Sequence, residues 1–309
     1  MKQVDLIKLA SPEWSPLLEE AGIRCSQYGA YLAFSADGKG QFSLFFDDDY
    51  PVMTWTLSVD GQDKEDLEVT GRELTFFLEA GRHDYQLTLN QWATGQVAFW
   101  QTGLTIMEAR YMGEGDLTAS LPNEKQQAAN PYLTFVGDSI VAGEAMAGLN
   151  HDRHRPTQSF PALVARARNK PLNRIAYGGT GLTTSAPFQE PKAIDALWRV
   201  GEDLPRRRVQ SDQVVVAYGL NDANYGASED DFAFGLRVYL LELVKRFHQA
   251  HFYVLTPWNG KFSAIFKKEA ARFDCFTIVD TTDWGIQTRP HHPGIEDHEK
   301  IAKKLISIL

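Results

Sequence analysis

The 309-residue chain is poor in cysteine: only Cys25 and Cys275 are present, far apart in sequence. Two distant thiols build no disulfide framework and suit a reducing compartment. Long apolar runs are missing too, so no segment is long enough to span a bilayer. The opening MKQVDLIKLASPEW is interrupted by Asp5 and Lys8 and forms no signal-peptide core. These absences together give the expectation of a cytoplasmic protein. Basic residues are in the minority, 31 Lys and Arg against 40 Asp and Glu, for a formal charge of −9. The average field repels a phosphate backbone or an anionic lipid surface, so neither nucleic acid nor membrane is expected as a partner. No internal repeat or low-complexity tract occurs. What remains is 43% hydrophobic, 12% aromatic and 23% charged, the makeup of a globular protein with a sizeable core, and the length suggests about two domains.

From about Tyr28 to Tyr111 short alternating segments recur: Gln41–Phe46, Met53–Val59, Leu74–Leu78, Tyr85–Leu89 and Val97–Trp100. Turn signals at Asp37-Gly38, Asp60-Gly61, Gly71 and Gly81 separate them, which predicts an antiparallel β-sandwich of jelly-roll type over residues 1–115. Residues 116–131 are polar, carry Pro122 and Pro131, and are expected as a linker. After Pro131 the apolar runs Leu133–Val136, Arg174–Tyr177, Gln213–Tyr218, Phe252–Leu255 and Thr277–Val279 alternate with helical stretches at Phe160–Arg168, Phe232–Ala250 and Glu296–Ile308. That alternation predicts an α/β domain over 132–309, a doubly wound parallel sheet between two helical layers.

Ligands in such a sheet bind beyond the carboxyl ends of the strands, so the loops after strands are where chemistry is sought. The first is Gly137-Asp138-Ser139-Ile140. A serine there faces the edge a substrate reaches, or it caps a helix. It is not the G-x-S-x-G elbow of the α/β-hydrolases, because Val141 stands where that motif needs glycine. The second loop, Gly178-Gly179-Thr180-Gly181, lets a backbone N–H approach a ligand oxygen, or makes a tight turn. It lacks the Lys-Ser/Thr of a phosphate loop. The third strand ends in Gly219-Leu220-Asn221-Asp222, where the Asn221 amide can serve a developing oxyanion or an ordinary turn. Pro290-His291-His292-Pro293 precedes the last helix.

In order, Gly137-Asp138-Ser139, Gly179, Gly219-x-Asn221-Asp222 and His292-Pro293 resemble the block layout of the SGNH, or GDSL-type, hydrolases, from about Leu133 to Leu309. Ser159-Phe160-Pro161-Ala162-Leu163 and Asp297-His298-x-x-Ile301-Ala302 are similar to the family as well. The upstream β-rich segment resembles the jelly-roll domain that precedes the catalytic domain of family-two carbohydrate esterases. The resemblance implies Ser139 as nucleophile and His292 as its base, then acid for the leaving alcohol. It implies an oxyanion hole made by the N–H groups of Ser139 and Gly179 and the side chain of Asn221. The activity it implies is a serine esterase that removes a small acyl group, acetyl in the first place, from a small-molecule or oligosaccharide ester, with no metal and no organic cofactor. A lysophospholipase, thioesterase or arylesterase would use the same machinery. A carbohydrate-binding protein with an inactive hydrolase domain is the reading from another class.

One position departs from that pattern. The family usually carries Asp three residues before its histidine, and Arg289 stands there. Arginine cannot accept the imidazole N–H, and its charge opposes an imidazolium. Some family-two carbohydrate esterases lack this Asp and orient the ring with backbone carbonyls, so the resemblance implies a Ser139–His292 dyad. The alternative is a carboxylate from Asp283, Glu296 or Asp297. Trp258 is a substrate-binding candidate, by stacking on a sugar face, or a packing residue; Trp284 is expected in the core. His151 and His154 have no further metal ligands at a recognisable spacing and are expected in a solvated loop. His291 and His298 read as structural neighbours of His292, and Asp47-Asp48-Asp49 as charges flanking a strand edge.

Overall fold

The computed structural model of the protein describes residues 2–92, 95–146, 153–184, 191–288 and 292–309. The first part of the chain builds an antiparallel sheet from β1 (Lys2–Val4), β2 (Ser15–Pro16), β3 (Ile23–Cys25), β4 (Tyr31–Asp37), β5 (Gly40–Val59), β6 (Gln62–Leu78), β7 (Arg82–Trp92), β8 (Leu104–Gly113) and β9 (Leu117–Ala119), with helices α1 (Leu6–Leu9) and α2 (Gln96–Thr102) between strands. The strand order is β2-β3-β8-β5-β7-β4-β9, with β1 added on β8 and β6 on β5. The two segments expected at Gln41–Phe46 and Met53–Val59 are one long strand, β5, whose halves choose different partners. Its first half pairs with β8 and its second with β7. Register shifts between Phe45 and Met53 bend the strand where the partner changes, and a strand that changes partner folds one sheet into two facing layers. Rings meet inside: Phe34 of β4 stacks on Phe42 of β5 at 4.5 Å, and Trp14, just before β2, on Trp55 at 6.3 Å. Asp47, Asp48 and Asp49 lie exposed at this bend, so they mark a break within a strand instead of flanking an edge.

Val97–Trp100, expected as a strand, is the core of helix α2. Four consecutive apolar residues have neither helical nor strand period, and the flanking glycines decide. Gly95 stands at the N-cap, and Gly103, at φ 70°, closes the last turn by donating its N–H to the Phe99 carbonyl. Phe99 and Trp100 are buried while Val97 is exposed. Within 116–131, β9 pairs with β4 and is followed by the single turn α3 (Glu124–Gln127), opened by an Asn123 capping box.

The rest of the chain alternates strand and helix: β10 (Tyr132–Gly137), α4 (Ser139–Ala142), α5 (Phe160–Ala167), β11 (Leu172–Ala176), α6 (Ala193–Trp198), β12 (Ser211–Ala217), α7 (Leu220–Asn224), α8 (Glu229–Arg246), β13 (His251–Leu255), α9 (Ser263–Ala270), β14 (Phe276–Val279) and α10 (Ile295–Ile306). The strands are parallel, in the order β11-β10-β12-β13-β14. Every residue of β10 is buried, as a strand covered on both faces requires. One core joins the sheet to α6, α8 and α9, the other to α5 and α10, giving the three-layer α/β architecture expected. The chain leaves β10 on one side to form β11 and returns on the other as β12. The carboxyl ends of β10 and β12 therefore part at the switch point of the sheet.

The two sheets meet through buried polar contacts. Arg207 donates to the carbonyls of Ala10, Ser11 and Trp14, and Arg206 to Gln27 Oε1 and the Tyr177 hydroxyl. Buried Glu13 accepts the Arg174 N–H, and desolvation raises its pKa. Further along, Thr157 Oγ1 donates to Asp63 Oδ2 at 2.8 Å, Arg155 pairs with Asp66 at 2.8 Å, and the Arg153 N–H donates to Gln91 Oε1 at 2.8 Å. The antiparallel sheet thus holds the 153–157 segment, whose Arg155 N–H donates to the carbonyl of Gly143 at the end of α4. Among the described residues, no helix is long and apolar enough to cross a membrane.

Candidate active site

Ser139 sits where β10 meets α4. Gly137 makes the junction possible: a Cβ there would lie 2.3 Å from Val141 Cγ2 and 2.7 Å from the Ala217 carbonyl oxygen, so any side chain would force α4 off the sheet. Asp138 caps α4 by accepting the Ile140 N–H at 3.0 Å, and Gly143 ends it at φ 79°. Ser139 is the first residue of this turn and 5% exposed; its own N–H belongs to the first-turn groups a helix leaves unused. Desolvation, reinforced by the carboxylates of Glu144 and Asp222, pushes the Asp138 carboxyl up to about 7 against the pull of the Ile140 hydrogen bond.

Two further loops close on this point. Gly179 follows β11 at φ 68°, a conformation glycine adopts without strain. Asn221 opens α7 after β12; its Nδ2 donates to the Thr180 carbonyl at 3.1 Å and lies 3.5 Å from Asp138 Oδ2. The longer contact is at the limit of a hydrogen bond, so one amide proton is held and the other only weakly. The structure therefore brings the Asp138–Ser139, Gly179–Thr180 and Asn221 segments into one hydrogen-bonded arrangement.

His292, just before α10, completes it, with Nε2 2.9 Å from Ser139 Oγ. Of the carboxylates considered as its partner, Asp283 and Glu296 are exposed and Asp297 is half-buried. Arg289 and His291 lie outside the described residues. His298 is fully buried on α10, accepts the Phe160 N–H on Nδ1 at 3.1 Å and ties α10 to α5. Burial first, then the charges of Arg174 and His292, push its pKa down to about 3, so it stays neutral.

Trp258 is 9% exposed and belongs to the same apolar cluster as Ile140, Leu220 and Trp284. It walls a cleft of about 360 Å³ with Asn224, Asn259, Thr282, Gln287 and Thr288. Trp284 is in the core as expected. His154 is not in a solvated loop: it is 3% exposed, packs its ring 4.6 Å from Tyr28 and accepts the Ala145 N–H at 2.9 Å. A neutral imidazole can satisfy a buried backbone donor this way, at an Ala145 held at φ 53°. His151 lies outside the described residues. Among these residues, no group of three His, Cys, Asp or Glu is arranged to hold a metal ion.

Sequence reasoning missed two acids. Glu144 is 1% exposed, and its carboxylate comes so near Gly178 that a Cβ there would stand 2.6 Å from Oε2. Nothing in its local sequence marks it. Asp222 belongs to a quoted motif, but its hydrogen bonds run to residues about 40 positions earlier, which spacing does not reveal.

A parallel α/β sheet with a serine–histidine pair at its switch point, joined to a curled antiparallel sheet, defines a class of two-domain protein. The family profile described as GDSL-like lipase/acylhydrolase matches residues 135–293, just over half of the chain, and the chain belongs to that family. Its whole fold is similar to that of a family-two carbohydrate esterase from Clostridium thermocellum in complex with cellohexaose, at TM-score 0.78 and 17% identity, covering 97% of each chain. A carbohydrate esterase family 2 enzyme plus carbohydrate binding domain from Corynascus thermopiles is similar at TM-score 0.72 and 18% identity, over 95% of this chain and 98% of that one. An acetyl xylan esterase from the rumen bacterium Butyrivibrio proteoclasticus is similar at TM-score 0.73 and 16% identity, over 100% and 98%. At these identities the likeness establishes the SGNH-type domain and its jelly-roll-like companion as a shared fold. No curated protein matches the chain significantly.

Proposed function

We propose that the protein is a serine esterase that removes acetyl groups from a carbohydrate through an acyl-enzyme. The observation that carries this reading is the 2.9 Å contact between Ser139 Oγ and His292 Nε2. A serine hydroxyl is a weak nucleophile until a base takes its proton, and Nε2 is within reach to take it when the neutral ring carries its own proton on Nδ1. Attack on the ester carbonyl gives a tetrahedral oxyanion, received by the N–H groups of Ser139 and Gly179 and by the Asn221 amide. Collapse expels the sugar alcohol, to which the His292 imidazolium gives its proton. Water then repeats the sequence and releases acetate.

The alcohol side of the substrate is assigned to the cleft walled by Trp258, whose Asn224, Asn259, Gln287 and Thr288 offer the amide and hydroxyl groups that sugar hydroxyls pair with. Membership of an acylhydrolase family and the likeness in fold to carbohydrate esterases support this reading. The test is hydrolysis of p-nitrophenyl esters from C2 to C12, together with acetate release from acetylated oligosaccharides. A preference for C2 and release of acetate are expected. A preference for long acyl chains would make it a lipid-directed esterase, and sugar binding without hydrolysis of any ester would make it a binding protein.

A further inference from the structure

We infer that Asp222 is the positioning residue of the oxyanion site, holding the loop after Gly179 so that the Gly179 N–H and the Asn221 amide converge on one point. The inference rests on the proposed roles of Ser139, Gly179 and Asn221. Asp222 is fully buried on α7, and its carboxylate takes three donors from a single loop. The Leu182 N–H reaches Oδ1 at 3.0 Å and Oδ2 at 3.1 Å, the Thr183 N–H reaches Oδ1 at 2.8 Å, and the Thr183 hydroxyl reaches Oδ1 at 2.7 Å. One residue earlier, the Asn221 amide donates to the Thr180 carbonyl. Consecutive side chains at the start of α7 therefore grip the loop by opposite polarities, an amide on its carbonyl and a carboxylate on its N–H groups.

The loop is fixed from behind as well. Gly235 of α8 lies so close to Leu182 that a Cβ there would stand 2.6 Å from the Leu182 carbonyl oxygen. Burying a carboxylate is costly unless its oxygens are satisfied, and here the loop's own donors satisfy it. An ionised carboxylate offers acceptors only; a carboxamide can keep the three contacts made by Oδ1 but puts an NH₂ in place of Oδ2, against the Leu182 N–H. Asp222→Asn therefore displaces the loop that begins at Gly179, and a shift of about 1 Å in a catalytic group can cost about 10²-fold in rate.

The experiment is a double-mutant cycle with Asp222→Asn and Asn221→Ala, reading kcat, KM and thermal stability with p-nitrophenyl acetate. Asp222→Asn is expected to lower kcat by about 10²-fold at nearly constant KM, and by far less in the Asn221→Ala background, where the hole is already broken. An equal loss in both backgrounds is what a general structural role gives, and it overturns the inference. If Asn221→Ala lowers kcat while folded Asp222→Asn does not, the inference falls and the oxyanion reading stands. If Asn221→Ala leaves kcat unchanged, the oxyanion reading falls and takes the inference with it. Should Asp222→Asn not fold, Thr183→Val removes one donor to the carboxylate. A loss of about 10-fold in kcat, the size of one hydrogen bond, is then expected, and unchanged kcat overturns the inference.

Discussion

His292 Nε2 stands 2.9 Å from Ser139 Oγ, across 153 positions of sequence. The contact exists because β10 delivers Ser139 to the carboxyl edge of the sheet and the segment after β14 returns His292 to the same edge. If the two act as one unit, their removal is not additive. Ser139→Ala and His292→Ala should each reduce ester hydrolysis to background while circular dichroism remains that of the folded protein, and the double variant should be no slower than either single one. Near wild-type turnover in a folded Ser139→Ala protein would sink the mechanism.

Asn221 is expected to act on the transition state more than on the bound substrate. Its amide is anchored by the Thr180 carbonyl through one proton, and the other, held only weakly by Asp138 Oδ2 at 3.5 Å, is the one an oxyanion would take. Asn221→Ala should lower kcat by about 10²–10³ with a modest change in KM. A change confined to KM would show that Asn221 only positions substrate.

The parallel sheet was legible in the sequence because its central strands β10 and β12, buried on both faces, read as apolar runs, and the other runs lie within or beside β11, β13 and β14. The positions of Ser139, Gly179, Asn221 and His292 at the carboxyl end of the sheet followed, since each lies in a segment that comes after a strand. The antiparallel half was less legible. The bend that makes β5 one strand with two partners is a property of pairing, and Val97–Trp100 carries no period to separate helix from strand. The hydrogen bonds of Asp222 and the burial of Glu144 and His154 were not readable at all. Each depends on backbone groups that folding alone brings near.

The orienting partner of His292 is open to a direct test. With Arg289 in place of the usual acid, a dyad requires no carboxylate, and of the three acids that could replace it Asp283 and Glu296 are exposed. Alanine at each of the three should leave kcat/KM within a few-fold of wild type. A loss near 10⁴-fold at one of them, the effect of crippling a triad aspartate, would establish a displaced triad and end the dyad reading.

Asp138 gives a stability prediction with a definite sign. Burial and the neighbouring Glu144 and Asp222 raise its carboxyl from an ordinary 3.8 to about 7 in the folded protein. Between those values the folded chain holds a proton that the unfolded chain has released, so stability falls as pH rises through this window. The contribution is complete below pH 3.8 and gone once pH passes about 7. Asp138→Asn keeps an oxygen to accept the Ile140 N–H, because Asn caps a helix about as well as Asp, and it removes the ionisation. Shifts at more distant groups such as Glu13 are common to both proteins and cancel in the difference. Measured by urea unfolding at constant ionic strength, the stability of Asp138→Asn relative to wild type should increase steadily from pH 4.5 and level off above about pH 7. A difference that stays flat, or that decreases over the same range, would mean that the Asp138 carboxyl is already ionised at low pH and that its buried neighbours do not hold its proton.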